Sequence, residues 1–229
     1  MEIKVLASGS SGNSYVIDDG ETKLLLEAGI QVKSIQKALN FDLQSIAGCL
    51  VTHQHLDHCK AVGGLLKMAV DCYMSQSTAE ALGVAGHHRA KIIKPMQRFT
   101  VGSFAILSFD TPHDVDNLGF LIASKTGAKC VFLTDTPYCK YKFSGLTMVV
   151  VEANYSMDLL KANKELSTEV KKRVVRNHMS IETVKGFLKA NDLRQVDSIH
   201  LIHLSSANSD EARFKREVQG LTGIPTYTY

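Results

Sequence analysis

Three histidines and one aspartate fall within six residues in the stretch Thr52-His53-Gln54-His55-Leu56-Asp57-His58. Neutral imidazole nitrogens and carboxylate oxygens are ligands that Zn²⁺ takes in proteins. His53 and His55 are two positions apart, so their side chains point the same way in an extended loop. Asp57 and His58 follow where the loop is expected to turn into a helix, from which they can face a second metal ion. The cluster predicts a metal site rather than a surface loop rich in histidine.

Further candidate site residues come later in the chain, each just past the apolar run of a predicted strand. They are His113, Asp135, Glu152 and His203. Several strands can deliver such residues to one edge of the sheets, where an open, water-accessible site belongs. His200 competes with His203, but the two lie three apart on a strand and so face opposite ways. His203 is nearer the strand end and is the preferred candidate.

The elements that must position these residues are short strands alternating with helices. Strands are predicted at residues 3–6, 14–17, 23–26, 47–52, 104–109, 119–123, 129–133, 148–151, 198–202 and 225–229. Helices are predicted at residues 34–39, 60–68, 77–82, 159–175, 181–189 and 210–219. The chain has no repeat, low-complexity segment or Pro/Gly linker, which favours a single domain covering residues 1–229.

Composition excludes several classes of protein. Hydrophobic residues make up 45% and charged residues 21% of the chain, as in a globular protein with a proper core. The formal charge of +3 is too small to indicate nucleic-acid binding by itself. No apolar run approaches the roughly 20 residues of a membrane helix, and the N-terminus does not resemble a signal peptide. The five cysteines form no CxxC pair and are expected to be reduced thiols in a cytoplasmic protein.

The cluster His53-Gln54-His55-Leu56-Asp57-His58 resembles the HxHxDH signature of metallo-β-lactamase-fold hydrolases. Other segments resemble that family's remaining motifs in order. They are Leu24-Leu25-Leu26-Glu27-Ala28-Gly29, Thr111-Pro112-His113-Asp114, Phe132-Leu133-Thr134-Asp135-Thr136 and His200-Leu201-Ile202-His203-Leu204-Ser205. The resemblance covers nearly the whole chain and implies an α/β fold, the αββα sandwich of the metallo-β-lactamase family.

The resemblance also implies a ligand set for two divalent metal ions, with Zn²⁺ expected and Mn²⁺ as the alternative. The first ion would take His53, His55 and His113, and the second Asp57, His58 and His203. Asp135 would bridge both ions. The family usually has aspartate where this chain has Glu27, a residue that orients a metal-binding histidine, and glutamate can accept the same hydrogen bond with a longer arm.

Two further resemblances point to a branch of the family. Leu6-Ala7-Ser8-Gly9-Ser10-Ser11-Gly12-Asn13-Ser14 and His203-Leu204-Ser205-Ser206-Ala207-Asn208 resemble the two ends of the YycJ/WalJ-type exonucleases. Val151-Glu152-Ala153-Asn154-Tyr155 and Asn177-His178-Met179-Ser180 are similar to the Glu–His pair of ribonuclease Z and its cyclic-nucleotide phosphodiesterase relatives. That pair assists departure of the leaving oxygen.

These resemblances imply hydrolysis of phosphodiester bonds in nucleic acid or cyclic nucleotides by a metal-bound hydroxide. Asp57, His178 and Glu152 are the residues expected to serve catalysis, with His178 protonating the leaving oxygen. A glyoxalase-II-like thioesterase, another hydrolase of the fold and a non-catalytic nucleic-acid-binding or interaction module remain alternatives. No membrane partner is expected, and a homodimer is left open.

Two basic clusters could meet phosphates. One comprises His87, His88, Arg89 and Lys91, and the other Lys171, Lys172, Arg173 and Arg176. The second cluster also fits the solvated face of a helix, and the sequence slightly favours that interpretation.

Overall fold

The computed structural model describes residues 1–229. Its residues form two compact units, and each unit has its own strands and helices. The first comprises Met1–Asp110 and Val115–Gly127, and the second comprises Thr111–Asp114 and Ala128–Tyr229. The single domain expected over residues 1–229 stays a prediction. No helix in the structure is long and apolar enough to cross a membrane.

The first unit contains nine strands and four α-helices. The strands are β1 (Glu2–Ala7), β2 (Ser14–Asp18), β3 (Lys23–Leu26), β4 (Ile46–Leu50), β5 (Cys72–Met74), β6 (Ala90–Ile92), β7 (Arg98–Val101), β8 (Phe104–Thr111) and β9 (Asn117–Ser124). The helices are α1 (Val32–Ala38), α2 (Leu56–Cys59), α3 (Val62–Lys67) and α4 (Gln76–Ala81), and a short 3₁₀ turn covers Leu43–Ser45.

Strands β1 to β6 form one sheet in chain order. The first three strands are antiparallel neighbours, and β3 to β6 are parallel. Apolar residues of the sheet, such as Leu25 and Cys49, pack in one buried cluster with Ile35 of α1 and Leu65 of α3. The parallel half of the sheet places the ends of β3 and β4 side by side, so the segments that follow these strands are neighbours.

The second unit is built on four strands and four helices. The strands are β10 (Lys129–Leu133), β11 (Met148–Glu152), β12 (Ser198–Ile202) and β13 (Thr226–Thr228). The helices are α5 (Met157–Ala162), α6 (Thr168–Asn177), α7 (Ile181–Ala190) and α8 (Glu211–Thr222). The strands pair in parallel in the order β13-β12-β11-β10. The run Met148-Val149-Val150-Val151 is entirely buried, as expected for a strand covered on both faces. The carboxyl ends of β10, β11 and β12 therefore meet at one edge.

Most predicted elements are present, and the main differences concern residues 72–101 and 159–175. Strands β5, β6 and β7 were not predicted, because they are only three or four residues long, at or below the length over which alternation of apolar and polar residues indicates a strand. The single helix predicted over residues 159–175 is two helices, α5 and α6. Ser167 begins the second helix, since its hydroxyl accepts a hydrogen bond from the backbone N–H of Val170.

Candidate metal centre

The histidine-rich loop starts three residues after β4 and runs into α2. His53 and His55 each offer a ligand nitrogen, and these two nitrogens lie within 4.8 Å of one another. The side chain of His53 is fully buried, and its Nδ1 lies 2.9 Å from the hydroxyl of Thr52. When Nδ1 donates its proton to that hydroxyl, Nε2 carries the lone pair that a metal ion requires.

Asp57 and His58 occupy the first turn of α2, with Asp57 Oδ2 3.3 Å from His58 Nε2. The carboxylate of Glu27 lies on the other side of the imidazole, with its Oε2 3.5 Å from His58 Nδ1. Glu27 also accepts the backbone N–H of Thr52 at 3.3 Å. Glu27 thus contacts a predicted metal-binding histidine, as a residue that orients such a ligand would. Its backbone has φ 63°, a left-handed conformation that costs a non-glycine residue on the order of 1 kcal/mol.

The glycine-rich opening of the chain supports Asp57 and His58 directly. Asn13 is fully buried, and its backbone N–H donates to the carbonyl of Asp57 at 2.7 Å. Its side-chain amide lies 3.2 Å from His58 Nε2. A Cβ atom on Gly29 would lie 1.6 Å from the carbonyl oxygen of Asp57, so only glycine fits there. Sequence reasoning did not assign Asn13 a role, and the only signal was its place in the motif of residues 6–14.

In the second unit, Asp135, Glu152, His178 and His203 bring their ligand atoms within 4.8 Å of one another. Asp135 follows β10 by two residues, and His203 directly follows β12. Both are buried and have positive φ values, 49° for Asp135 and 54° for His203. Such left-handed backbone in non-glycine residues is concentrated at functional sites, because the surrounding structure must hold it in place.

Glu152, at the end of β11, is the centre of this cluster. Its side chain is fully buried. Its Oε1 lies 2.6 Å from Nδ1 of His178 and 3.0 Å from Nδ1 of His203. Its Oε2 accepts the backbone N–H groups of Thr136 at 3.2 Å and Met179 at 3.1 Å. Burial alone raises the pKa of Glu152, but the ion pair and hydrogen bond with His178 and the hydrogen bond with His203 outweigh it, and the pKa falls.

His178 is the residue after α6, and its side chain is 22% exposed. Burial lowers the pKa of its imidazole, but attraction to Glu152 and the hydrogen bond between them outweigh burial, and the pKa rises above its ordinary value. Because Nδ1 points at Glu152, Nε2 is the nitrogen that can face a substrate. The ring stacks on that of His203 at 5.4 Å between centroids.

His113 follows β8 by two residues. Its Nδ1 lies 3.2 Å from the carbonyl oxygen of Asn177, and its Nε2 lies 3.9 Å from Oδ2 of Asp135. The Asn177 side chain donates to Asp114 at 2.9 Å, which fixes the loop that carries His113. Asn154 similarly fixes the segment after β12, since its side-chain amide donates a hydrogen bond to the backbone carbonyl of His203 at 2.9 Å. Both asparagines belong to predicted motifs, but their contacts were not predicted.

His200 is not part of this cluster. Its ring lies inside β12 and stacks on Tyr227 and Tyr229, with centroids 5.1 and 5.9 Å away. Burial lowers the pKa of His200 to about 4, so the residue is a neutral packing group at neutral pH. Of the two candidates on this strand, His203 is the one beside Asp135 and Glu152.

The donor set of each unit fits divalent metal ions. Four predicted ligands share one arrangement, in which Nδ1 faces an oxygen of the chain: His53 with Thr52, His58 with Glu27, His113 with Asn177 and His203 with Glu152. Metal-binding histidines are characteristically oriented in this way by carboxylates or carbonyls behind them. Nitrogen and carboxylate ligands suit Zn²⁺ and related transition metals.

Comparisons with known proteins agree with this description. The model of the beta-lactamase superfamily domain matches residues 22–204. An exodeoxyribonuclease WalJ of Streptococcus pneumoniae is 30% identical over 221 residues, which cover 90% of this chain and 82% of the relative. An exodeoxyribonuclease YycJ of Bacillus anthracis is 27% identical over 227 residues, covering 91% of this chain and 84% of the relative.

Solved structures show the fold. The metallo-beta-lactamase fold protein YhfI from Bacillus subtilis has a TM-score of 0.75 at 14% identity, covering 99% of this chain and 95% of that one. The short form of human tRNase Z has a TM-score of 0.64 at 15% identity, covering 90% and 93%. The predicted metallo-β-lactamase fold and the resemblance to YycJ/WalJ-type proteins are both confirmed, and the chain belongs to the beta-lactamase superfamily.

Proposed function

We propose that the protein is a metal-dependent phosphodiesterase that hydrolyses the backbone of nucleic acids. The observation that carries this proposal is the hydrogen bond of 2.6 Å between the buried carboxylate of Glu152 and Nδ1 of His178. Metal ligands alone would suit many hydrolases. A histidine held by a buried carboxylate, with its second nitrogen turned outward, suits the protonation of a leaving oxygen. The relatives named exodeoxyribonucleases support the same assignment.

The proposed centre would hold two divalent cations, with Zn²⁺ as the expected ion. The ligands proposed are His53, His55 and His113 for one cation, Asp57, His58 and His203 for the other, and Asp135 for both. When bound, two such cations lower the pKa of a water molecule to about 7 and neutralise charge on a phosphate oxygen. The carboxylate at position 135 could serve both cations, because it offers two oxygen atoms.

The chain's own groups perform the remaining steps. His178 donates the proton on Nε2 to the departing oxygen, and the negative charge of Glu152 stabilises the protonated imidazole and fixes its orientation. Asp57 orients the attacking water in addition to its role as a ligand. Glu27 and Asn13 hold His58 and Asp57 at the distances described above.

A polynucleotide is the favoured substrate, because the named relatives act on DNA. The five cysteines form no disulfide, which is consistent with the proposed cytoplasmic location.

A substrate panel with the metal-reconstituted protein tests the proposed function. We expect hydrolysis of linear DNA and of bis-p-nitrophenyl phosphate. RNA and the 2′,3′- and 3′,5′-cyclic nucleotides complete the phosphodiester series and define the substrate within this class. A thioester and a β-lactam serve as controls for the other chemistries of the fold. Hydrolysis of either control with no activity on any phosphodiester would refute the proposal.

A further inference from the structure

Helix α6 carries a row of cations on one side. Lys172, Arg173 and Arg176 line a groove of about 380 Å³, together with Glu169, Asp114 and Asn177. Residues three and four apart share one face of a helix, so the three cations follow the groove along the helix axis. All three side chains are exposed to solvent. The groove therefore presents a line of positive charge to the outside of the molecule.

These three cations make no ion pair within the chain. Other cations on the surface form ion pairs with neighbouring carboxylates. Arg213 pairs with Asp158 and Glu217, and Arg89 pairs with Asp71 at 2.8 Å. Arg89 and Lys91, from the other basic cluster of the sequence, are thus paired with Asp71, whereas the three cations on α6 are available to an external anion.

The groove is connected to the proposed catalytic residues through the end of the helix. Asn177 is the last residue of α6. Its backbone carbonyl oxygen lies 3.2 Å from Nδ1 of His113, and its side-chain amide donates a hydrogen bond to Asp114. His178 is the next residue. The groove begins beside Asp114 and Asn177 and extends back along α6 to Glu169. Glu169 lies eight residues before Asn177, which is about 12 Å at a rise of 1.5 Å per residue.

We infer that the α6 groove binds the sugar–phosphate backbone of the nucleic-acid strand next to the bond that is cleaved. This inference rests on the proposed function and adds a strand-binding surface outside the metal centre. A length of about 12 Å accommodates a short run of a nucleic-acid strand, and the three cations of the groove can contact its phosphates. Three cations outnumber the two carboxylates of the groove, and Asp114 is already engaged by Asn177. Backbone contacts of this kind carry no sequence preference.

The test is the triple variant Lys172→Gln, Arg173→Gln and Arg176→Gln. Binding of a fluorescent single-stranded 20-mer is measured in chelator, so that no cleavage occurs, over a range of salt concentrations. We expect at least tenfold weaker binding at low salt. The slope of log affinity against log salt should decrease by about 2, since each phosphate contact on a single strand contributes about 0.7. Arg173→Lys with Arg176→Lys should retain the binding, because charge rather than shape is required.

A matched variant removes three exposed cations elsewhere in the same unit: Lys189→Gln, Lys215→Gln and Arg216→Gln. It should bind the 20-mer within about twofold of wild type. Equal weakening in both triple variants, or wild-type binding in the α6 variant, would overturn the inference. Hydrolysis of bis-p-nitrophenyl phosphate separates this result from the proposed function. The α6 variant should retain it within about twofold. If the wild-type protein hydrolyses no phosphodiester but shows binding that depends on α6, the inference on the groove would be supported and the proposed activity would be refuted.

Discussion

Asp57→Ala and His113→Ala proteins are expected to lose turnover of bis-p-nitrophenyl phosphate down to the background rate while remaining folded. Each change removes a proposed metal ligand, and the loss should exceed the roughly 10–100-fold typical of residues that only orient a ligand. The fold should persist, because Asp57 contacts Asn13 through its backbone carbonyl, which alanine retains. Activity and thermal unfolding are measured on the same preparations.

Asp116→Ala is the control for these variants. Asp116 lies in the same connection between β8 and β9 as His113, but its carboxylate is exposed and bonds the hydroxyl of Ser77 at 2.6 Å. This variant should hydrolyse the substrate at the wild-type rate. A folded Asp57→Ala or His113→Ala protein with wild-type activity would show that the metal centre lies elsewhere.

His178→Ala should reduce the rate of DNA cleavage by about 10²–10⁴-fold, the range for loss of a general acid. The metal content should be unchanged, because His178 is not a proposed ligand. The loss should be much smaller for bis-p-nitrophenyl phosphate, whose leaving oxygen needs little protonation. An equal loss of rate with both substrates, or loss of a metal ion, would instead show that His178 binds the substrate or a metal ion.

Glu152→Gln separates orientation from proton donation. Glu152 uses one oxygen for the two imidazoles and the other for two backbone N–H groups. A glutamine side chain has only one acceptor oxygen, so its amide nitrogen must face one of these pairs of donors. Because His203 is among the partners, we expect weaker metal binding as well as slower cleavage, whereas His178→Ala should affect cleavage alone.

The residues proposed to carry the chemistry could be picked out from the sequence because their types and spacing are local. The run from His53 to His58 is continuous, and Asp135, Glu152 and His203 each follow an apolar strand. The pairing of Glu152 with His178 was also predicted, from the resemblance of their two short motifs. The structure places these two side chains in direct contact.

The supporting contacts could not be predicted, since they depend on segments distant in the chain. Asn13 contacts Asp57 across 44 positions, and Asn177 contacts Asp114 across 63. Gly29 is confined by the carbonyl of Asp57 rather than by its own backbone conformation. The role of the basic helix was undecided for the same reason: only the structure shows that Arg89 is paired and that Arg173 is not.

Titration of metal-free protein with Zn²⁺, and separately with Mn²⁺, tests the central claim most directly. Hydrolysis of bis-p-nitrophenyl phosphate and bound metal are followed together as metal is added. The seven proposed ligands include Asp135, which both cations would share. We therefore expect activity to rise from zero and to level off at about two ions per chain, because both cations are required to activate water and neutralise the phosphate. Full activity without metal, or saturation at one ion per chain with all seven ligands intact, would contradict a dinuclear metal-dependent phosphodiesterase.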